Sequence, residues 1–140
     1  MNAPLYDTDL LRLAATIPHL GRLAAPQGTA ERRSPVCGSR VIADVTLADG
    51  RIADLGLQVS ACALGQASAN IMASHAIGRA PEELAEARDA LTAWLAGERD
   101  DPGEWPGLDQ LARALPHTGR HAAIRLPFEA AAEAAARASG

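Results

Sequence analysis

Val41-Ile42-Ala43-Asp44-Val45-Thr46-Leu47-Ala48-Asp49-Gly50-Arg51-Ile52 is the stretch from which the fold can be read. Val41, Ala43, Val45 and Leu47 fall on every second position with Asp44 and Thr46 between them, the pattern of a half-buried strand. Asp49-Gly50 follows where the chain must reverse. Both residues tolerate positive φ, which makes the pair a strong two-residue hairpin signal. Ile52, Leu55, Leu57 and Val59 supply the returning strand, with a less regular alternation. A hairpin that stops short of Cys62 is expected.

Beyond the hairpin the period changes from two to helical. Ala63, Leu64, Ala67, Ile71, Met72 and Ala76 share a helical spacing, and Gly78 closes that segment. Its small residues suit close packing against another element. Pro81 and Glu82-Glu83 open a further helix running to about Ala96, because proline fits a first helical position and carboxylates favour the first turn. A polar loop over 97–106 leads to a short helix near 107–115, which Pro116 breaks. The last helix spans about 121 to 138, kinked at or starting late from Pro127. Upstream of the hairpin, 7–16 reads as an amphipathic helix capped by Asp7 or Thr8, and 18–36 as extended or loop-like chain. The expected class is therefore α+β: a small antiparallel sheet built on a hairpin, with helices packed on one face.

A chain of 140 residues fits one domain, 1–140, able to bury a core without disulfides. Aromatic residues make up only 3%, so that core rests on aliphatic side chains, with Trp94, Trp105 and Phe128 as its few large fillers. The net charge of −4 and the absence of a basic block exclude broad binding to nucleic acid or to an anionic membrane. The start lacks a basic region followed by an apolar run, and no stretch approaches the length of a membrane span, so cytoplasm is the expected compartment. No phosphate loop and no hydrolase or metalloprotease motif is present in the sequence. The carboxylates at Glu82, Glu83, Glu86 and Asp89 read as solvated helix faces.

Two cysteines in a cytosolic chain point to metal or reactivity more than to a disulfide. Cys37 precedes Gly38 in a turn ahead of the first strand, and Cys62 stands where the second strand gives way to a helix. Unpaired N–H groups at a helix start favour an anion such as a thiolate. The hairpin folds back on itself, so both cysteines are expected at the same open end. Cys62 alone could equally be a small buried hydrophobe. Among the histidines, His19 and His75 read as surface or satisfied residues. His117 and His121 are four apart and, with both cysteines, compatible with a Cys2His2 zinc site.

Cys37-Gly38-Ser39-Arg40, the hairpin, and Ser60-Ala61-Cys62-Ala63-Leu64-Gly65-Gln66-Ala67-Ser68-Ala69 together resemble the core of the U-type iron–sulfur cluster assembly scaffolds (IscU, SufU and the N-terminal domain of NifU). Ile17-Pro18-His19-Leu20-Gly21-Arg22-Leu23 is similar, more loosely, to that family's N-P-x-N-x-G-x-L stretch. The family has an aspartate where this chain has Ser39, a glycine where it has Ala61, and a third cysteine where the frame after Pro116 places His121. The long stretch between Trp94 and His121 resembles the SufU-like branch, which is associated with zinc and with sulfur acceptance. The resemblance implies a non-enzymatic scaffold or carrier that holds zinc or a [2Fe–2S] cluster through Cys37, Cys62 and His121, with Ser39 or His117 as a weak fourth ligand. It further implies Cys37 as persulfide acceptor, a cysteine desulfurase (SufS/IscS-like) and recipient apo-proteins as partners, and a monomer or weak homodimer. The alternative is a structural zinc-binding or metal-free interaction protein derived from the same fold.

Overall fold

The Asp49-Gly50 reversal forms as expected, with φ of 53° and 75° at its two residues. It joins β2 (Arg40–Ala48) to β3 (Arg51–Ser60), and β1 (Gly28–Arg33) adds to the far side of β2. The sheet is antiparallel with order β1-β2-β3. The computed structural model describes residues 7–35 and 38–140. Thr46 faces Asp54 but Leu47 faces Ile52, so Ala53 has no opposite residue and forms a bulge. That extra residue explains the irregular alternation of the returning strand: Ile52 and Leu55, three apart, are both buried. The segment 18–36 is more ordered than expected, since Gly28–Arg33 within it is a strand in full register with β2.

Among the described residues, four α-helices accompany the sheet: α1 (Thr8–Ala15), α2 (Ala63–Ala76), α3 (Pro81–Leu95) and α4 (His121–Ser139). The side chain of Asp7 caps α1 by accepting from the Leu10 N–H at 2.7 Å. At the other end of α1, the buried Asn70 amide of α2 donates to the Leu13 and Thr16 carbonyls at 2.9 and 3.0 Å. One polar side chain thus binds two carbonyls at the helix end, that of Leu13 also accepting from the Thr16 N–H at 3.3 Å. α4 is the central helix, packed on β1 and β2 and against both α2 and α3. It begins at His121 and runs through Pro127. Proline cannot donate to the carbonyl four residues earlier, here that of Ala123, and α4 carries that gap without stopping. Gly28 lets α4 cross β1 closely, because a Cβ there would meet the Ala134 carbonyl oxygen and the Ala138 backbone.

The loop after α3 is pinned by Trp105. Its indole N–H donates to the Ile71 carbonyl at 3.0 Å, its ring meets Phe128 edge-on at 5.5 Å, and Arg79 lies over it at 4.8 Å. Glu83, expected on a solvated face, instead accepts from the Ala80 N–H and pairs with Arg79 and Arg51.

Val41, Ala43 and Val45 turn one face of β2 towards the core, where Ala43 and Val45 oppose Leu57 and Leu55 of β3. The other face carries Asp44, which the sequence pattern places in solvent, yet Asp44 is 0% exposed. Residues 19–27 cover it as a strap. The Gly21 N–H donates to the Leu57 carbonyl at 2.7 Å and the Leu57 N–H to the His19 carbonyl at 2.9 Å, tying the strap to the outer edge of β3. It then passes over Gly56, where a Cβ would stand 2.5 Å from the Gly21 carbonyl oxygen. Asp44 accepts from Arg22 Nε and Nη2 at 2.6 and 3.1 Å, from the Leu23 N–H at 3.0 Å and from the Thr29 hydroxyl at 2.6 Å.

Burial pushes the Asp44 carboxyl up, but the hydrogen bonds from Arg22, Thr29 and Leu23, with the charge of Arg22, outweigh it and hold the group below its ordinary value. A carboxyl depressed on folding contributes stability above its unfolded value of about 3.9, lost as the pH falls through the folded value. Asp44→Ala is expected to lower the unfolding free energy by about 3 kcal/mol, since four donor groups from three residues lose their acceptor beneath the strap. Denaturant titrations of both proteins from pH 7 down to pH 3 check this: the wild type should lose part of its advantage at the acid end, and an unchanged difference would exclude the ion pair as its source.

Candidate functional site

The register pairs Arg33↔Arg40 and Arg40↔Ser60 mark one end of the sheet, and Ser39 and Cys62 lie next to it in the chain. The β1–β2 connection turns back there. The Ser34 N–H donates to the Ser39 carbonyl at 2.8 Å and the Gly38 N–H to the Ser34 carbonyl at 3.0 Å, with Gly38 at φ 73°. Val36 and Cys37 lie outside the described residues; the described residues that flank them, Pro35 and Gly38, belong to this turn. Ser39 is buried.

On the neighbouring strand the chain leaves the sheet after Ser60, and Cys62 becomes the N-cap residue of α2 with extended backbone (φ −66°, ψ 171°). Its carbonyl accepts the first helical bond from the Gln66 N–H at 2.9 Å. The thiol is half-buried and packs against the core. Cys62 thus stands at a helix start, as expected from the sequence, and is half-buried rather than fully enclosed.

His121 opens α4 and is 6% exposed. The starts of α2 and α4 lie side by side, because a Cβ on Gly65 would meet both the Ala61 side chain at 2.7 Å and the Ala123 carbonyl oxygen at 3.2 Å. One turn on, the Ser68 hydroxyl donates to the Ile124 carbonyl at 2.6 Å. Small residues in α2 thus bring the two helix starts together, as their density in the sequence suggests. The imidazole Nε2 of His121 stands 3.0 Å from the carbonyl oxygens of both Ala114 and Leu115. Those carbonyls end the 3₁₀ segment Leu108–Ala114, which takes the place of the expected short helix. His117 is exposed and stands before the 3₁₀ turn Thr118–Arg120 rather than on α4. Its spacing from His121 is therefore not that of two neighbours on one helix face.

Among the described residues, no three His, Cys, Asp or Glu side chains are grouped closely enough to hold a metal ion. Cys62 and His121 are the described members of the expected ligand set. The surroundings are guanidinium-rich but paired: Arg33 and Arg40 both bind Glu31, at 2.7 and 2.9 Å. The Arg33 hydrogen bond is the main reason that the Glu31 carboxyl sits below the ordinary range. Sequence reasoning missed the anchoring pair Arg22 and Asp44. They are 22 positions apart, and the sole hint was the loose similarity of the stretch containing Arg22.

No family model and no curated protein matches the chain. Solved structures do. The N-terminal part of a nitrogen-fixing NifU-like protein from Brucella abortus is 32% identical, with 96% of this chain and 94% of that chain covered and a TM-score of 0.89. A protein from the thermophilic Fervidobacterium islandicum AW-1, assigned to the SUF system as its iron–sulfur cluster assembly scaffold, is 19% identical over 91% of this chain and 93% of its own, with a TM-score of 0.84. At that identity the second likeness speaks to the fold alone.

The contact at Gly65 gives a direct handle on this end of the molecule. Gly65→Val is expected to push the starts of α2 and α4 apart and to lower the unfolding free energy by about 2 kcal/mol. Thermal or denaturant melts would check it, and a neutral outcome would mean that the helix starts are not in close contact.

Proposed function

This chain belongs to the U-type (NifU-like) family of iron–sulfur scaffold proteins, and we propose that it works as a scaffold, or as a sulfur and metal carrier, in iron–sulfur cluster assembly. The reading is carried by the end-to-end likeness to the Brucella abortus protein. It is supported by the position of Cys62 at the head of α2, beside the start of α4 and at the sheet end where the β1–β2 connection turns.

In this proposal zinc or a [2Fe–2S] cluster is the cargo, held by Cys37, Cys62 and His121, with Ser39 or His117 as the weak fourth ligand. Thiolate and imidazole donors suit both zinc and iron. The described donors, one thiol and one imidazole, fall short of a closed four-coordinate site, so retention depends on Cys37 and on a fourth donor. Serine and histidine in place of a carboxylate and a thiolate remove two negative charges, which suits release of a cation as well as its capture.

Sulfur enters at Cys37. Its thiolate attacks the terminal sulfur of a persulfide on the cysteine desulfurase, a new S–S bond forms on Cys37, and the desulfurase cysteine leaves as thiolate. No external oxidant or reductant is consumed. The protein carries and delivers rather than turning over a substrate, and apo-proteins receive the cargo. The setting proposed is the cytoplasm; among the described residues, no helix is long and apolar enough to cross a membrane.

A second reading draws on one observation. His121 is buried and already bonded to two backbone carbonyls, which gives it a structural task without any metal. A structural zinc module or a metal-free interaction protein on the same fold would use it so. Elemental analysis and a visible spectrum of anaerobically purified protein, alongside Cys37→Ser and Cys62→Ser, separate the readings. Stoichiometric zinc or iron that either variant loses is the expected outcome. No metal after reconstitution, and no persulfide on Cys37 by mass spectrometry after incubation with a desulfurase and cysteine, would leave the interaction protein.

A further inference from the structure

His121 has surroundings that say more than a ligand role requires. Its Nε2 lies 3.0 Å from two carbonyl oxygens, those of Ala114 and Leu115. Carbonyl oxygens offer only lone pairs, so a ring nitrogen at that distance from two of them must carry a hydrogen and share it. Both carbonyls sit where the 3₁₀ segment ends; that of Ala114 also accepts from the His117 N–H at 2.9 Å, and that of Leu115 is among the last carbonyls, which lack partners within the segment. Pro116 follows at once and has no N–H to offer. The imidazole, from the first residue of α4, therefore closes the end of the segment before it.

We propose that this clasp fixes the metal-binding form of His121 as the tautomer with its proton on Nε2, so that Nδ1 is the atom through which it holds zinc or a cluster iron, with the Ala114 and Leu115 carbonyls as the outer partners that orient the ring. Histidine ligands commonly donate their second nitrogen to a backbone carbonyl, which sets both tautomer and ring angle. Here two carbonyls do so, in a buried setting. The ligand half rests on the metal-centre reading given above; the clasp stands without it. Both tasks fall to one side chain, and a glutamine can divide them. Its amide nitrogen extends about as far as Nε2 and donates to a carbonyl, whereas nothing in it replaces the lone pair of Nδ1.

Long-range proton–nitrogen correlation spectra of histidine-labelled, metal-free protein test the clasp. Nε2 of His121 should show the pyrrole type that bears hydrogen, and Nδ1 the pyridine type. Added zinc should then move the Nδ1 signal and leave Nε2 of the same type. His121→Gln should melt within a few degrees of wild type yet hold zinc roughly tenfold or more weakly, while His121→Ala should melt well below both. A proton on Nδ1 in the metal-free protein, or a zinc-induced change at Nε2, overturns the proposal. Zinc bound with both His121 signals unmoved overturns the ligand half. If zinc does not bind at all while Nε2 keeps its hydrogen, the metal-centre reading falls and the clasp is upheld.

Discussion

A carboxylate with no access to water holds the strap over 19–27 against the sheet. Asp44 stands mid-strand on the face of β2 that the core does not use, and Arg22, Leu23 and Thr29 all donate to it. Without those donors its burial would be prohibitive. With them, the strap over 19–27 has a fixed seat and covers the middle of that face, while Glu31, Arg33 and Gln58 at its margins stay exposed. Gly56 completes the arrangement by leaving room for the strap backbone. The order of β1 depends on the same residue, since Thr29 belongs to that strand and reaches Asp44 across the register.

Local patterning made the hairpin and the helices legible. Alternation in β2, the Asp-Gly turn, the proline at the start of α3 and the small-residue spacing of α2 each act over a few residues, and each recurs in the structure. What depends on distant partners was not legible. β1 carries Glu31, Arg32 and Arg33, which read as extended or loop-like chain, because its pairing with β2 is set by register and by α4 lying across Gly28. Alternation marks Asp44 as outward and cannot report that another segment returns to cover that side. The bulge at Ala53 shows in the sequence only as broken alternation, and only pairing with β2 identifies the extra residue.

The site was legible to a similar degree. The hairpin argument brings the β1–β2 turn and Cys62 to one end because antiparallel strands must do so. The neighbouring starts of α2 and α4 come from tertiary packing at Gly65 and Ser68, which spacing alone does not reveal. His121 shows the same division: the frame after Pro116 singles out the residue, while its bond to two carbonyls depends on how the 3₁₀ segment ends.

The way in which the strap meets β3 also bears on how copies of the chain meet one another. At Leu57 both backbone groups on the outer side of β3 are already engaged by residues 19–21. On the opposite border Arg137 donates to the Thr29 carbonyl of β1. An exposed strand border is a template for the next chain to pair with, and here other parts of the same molecule block the β3 border at Leu57 and at Ile52, which Gly78 and Arg79 engage, and the β1 border at Thr29. Crowded copies are thus discouraged from joining sheet to sheet, and lateral stacking into continuous ribbons would first require a strap or a helix end to be peeled away.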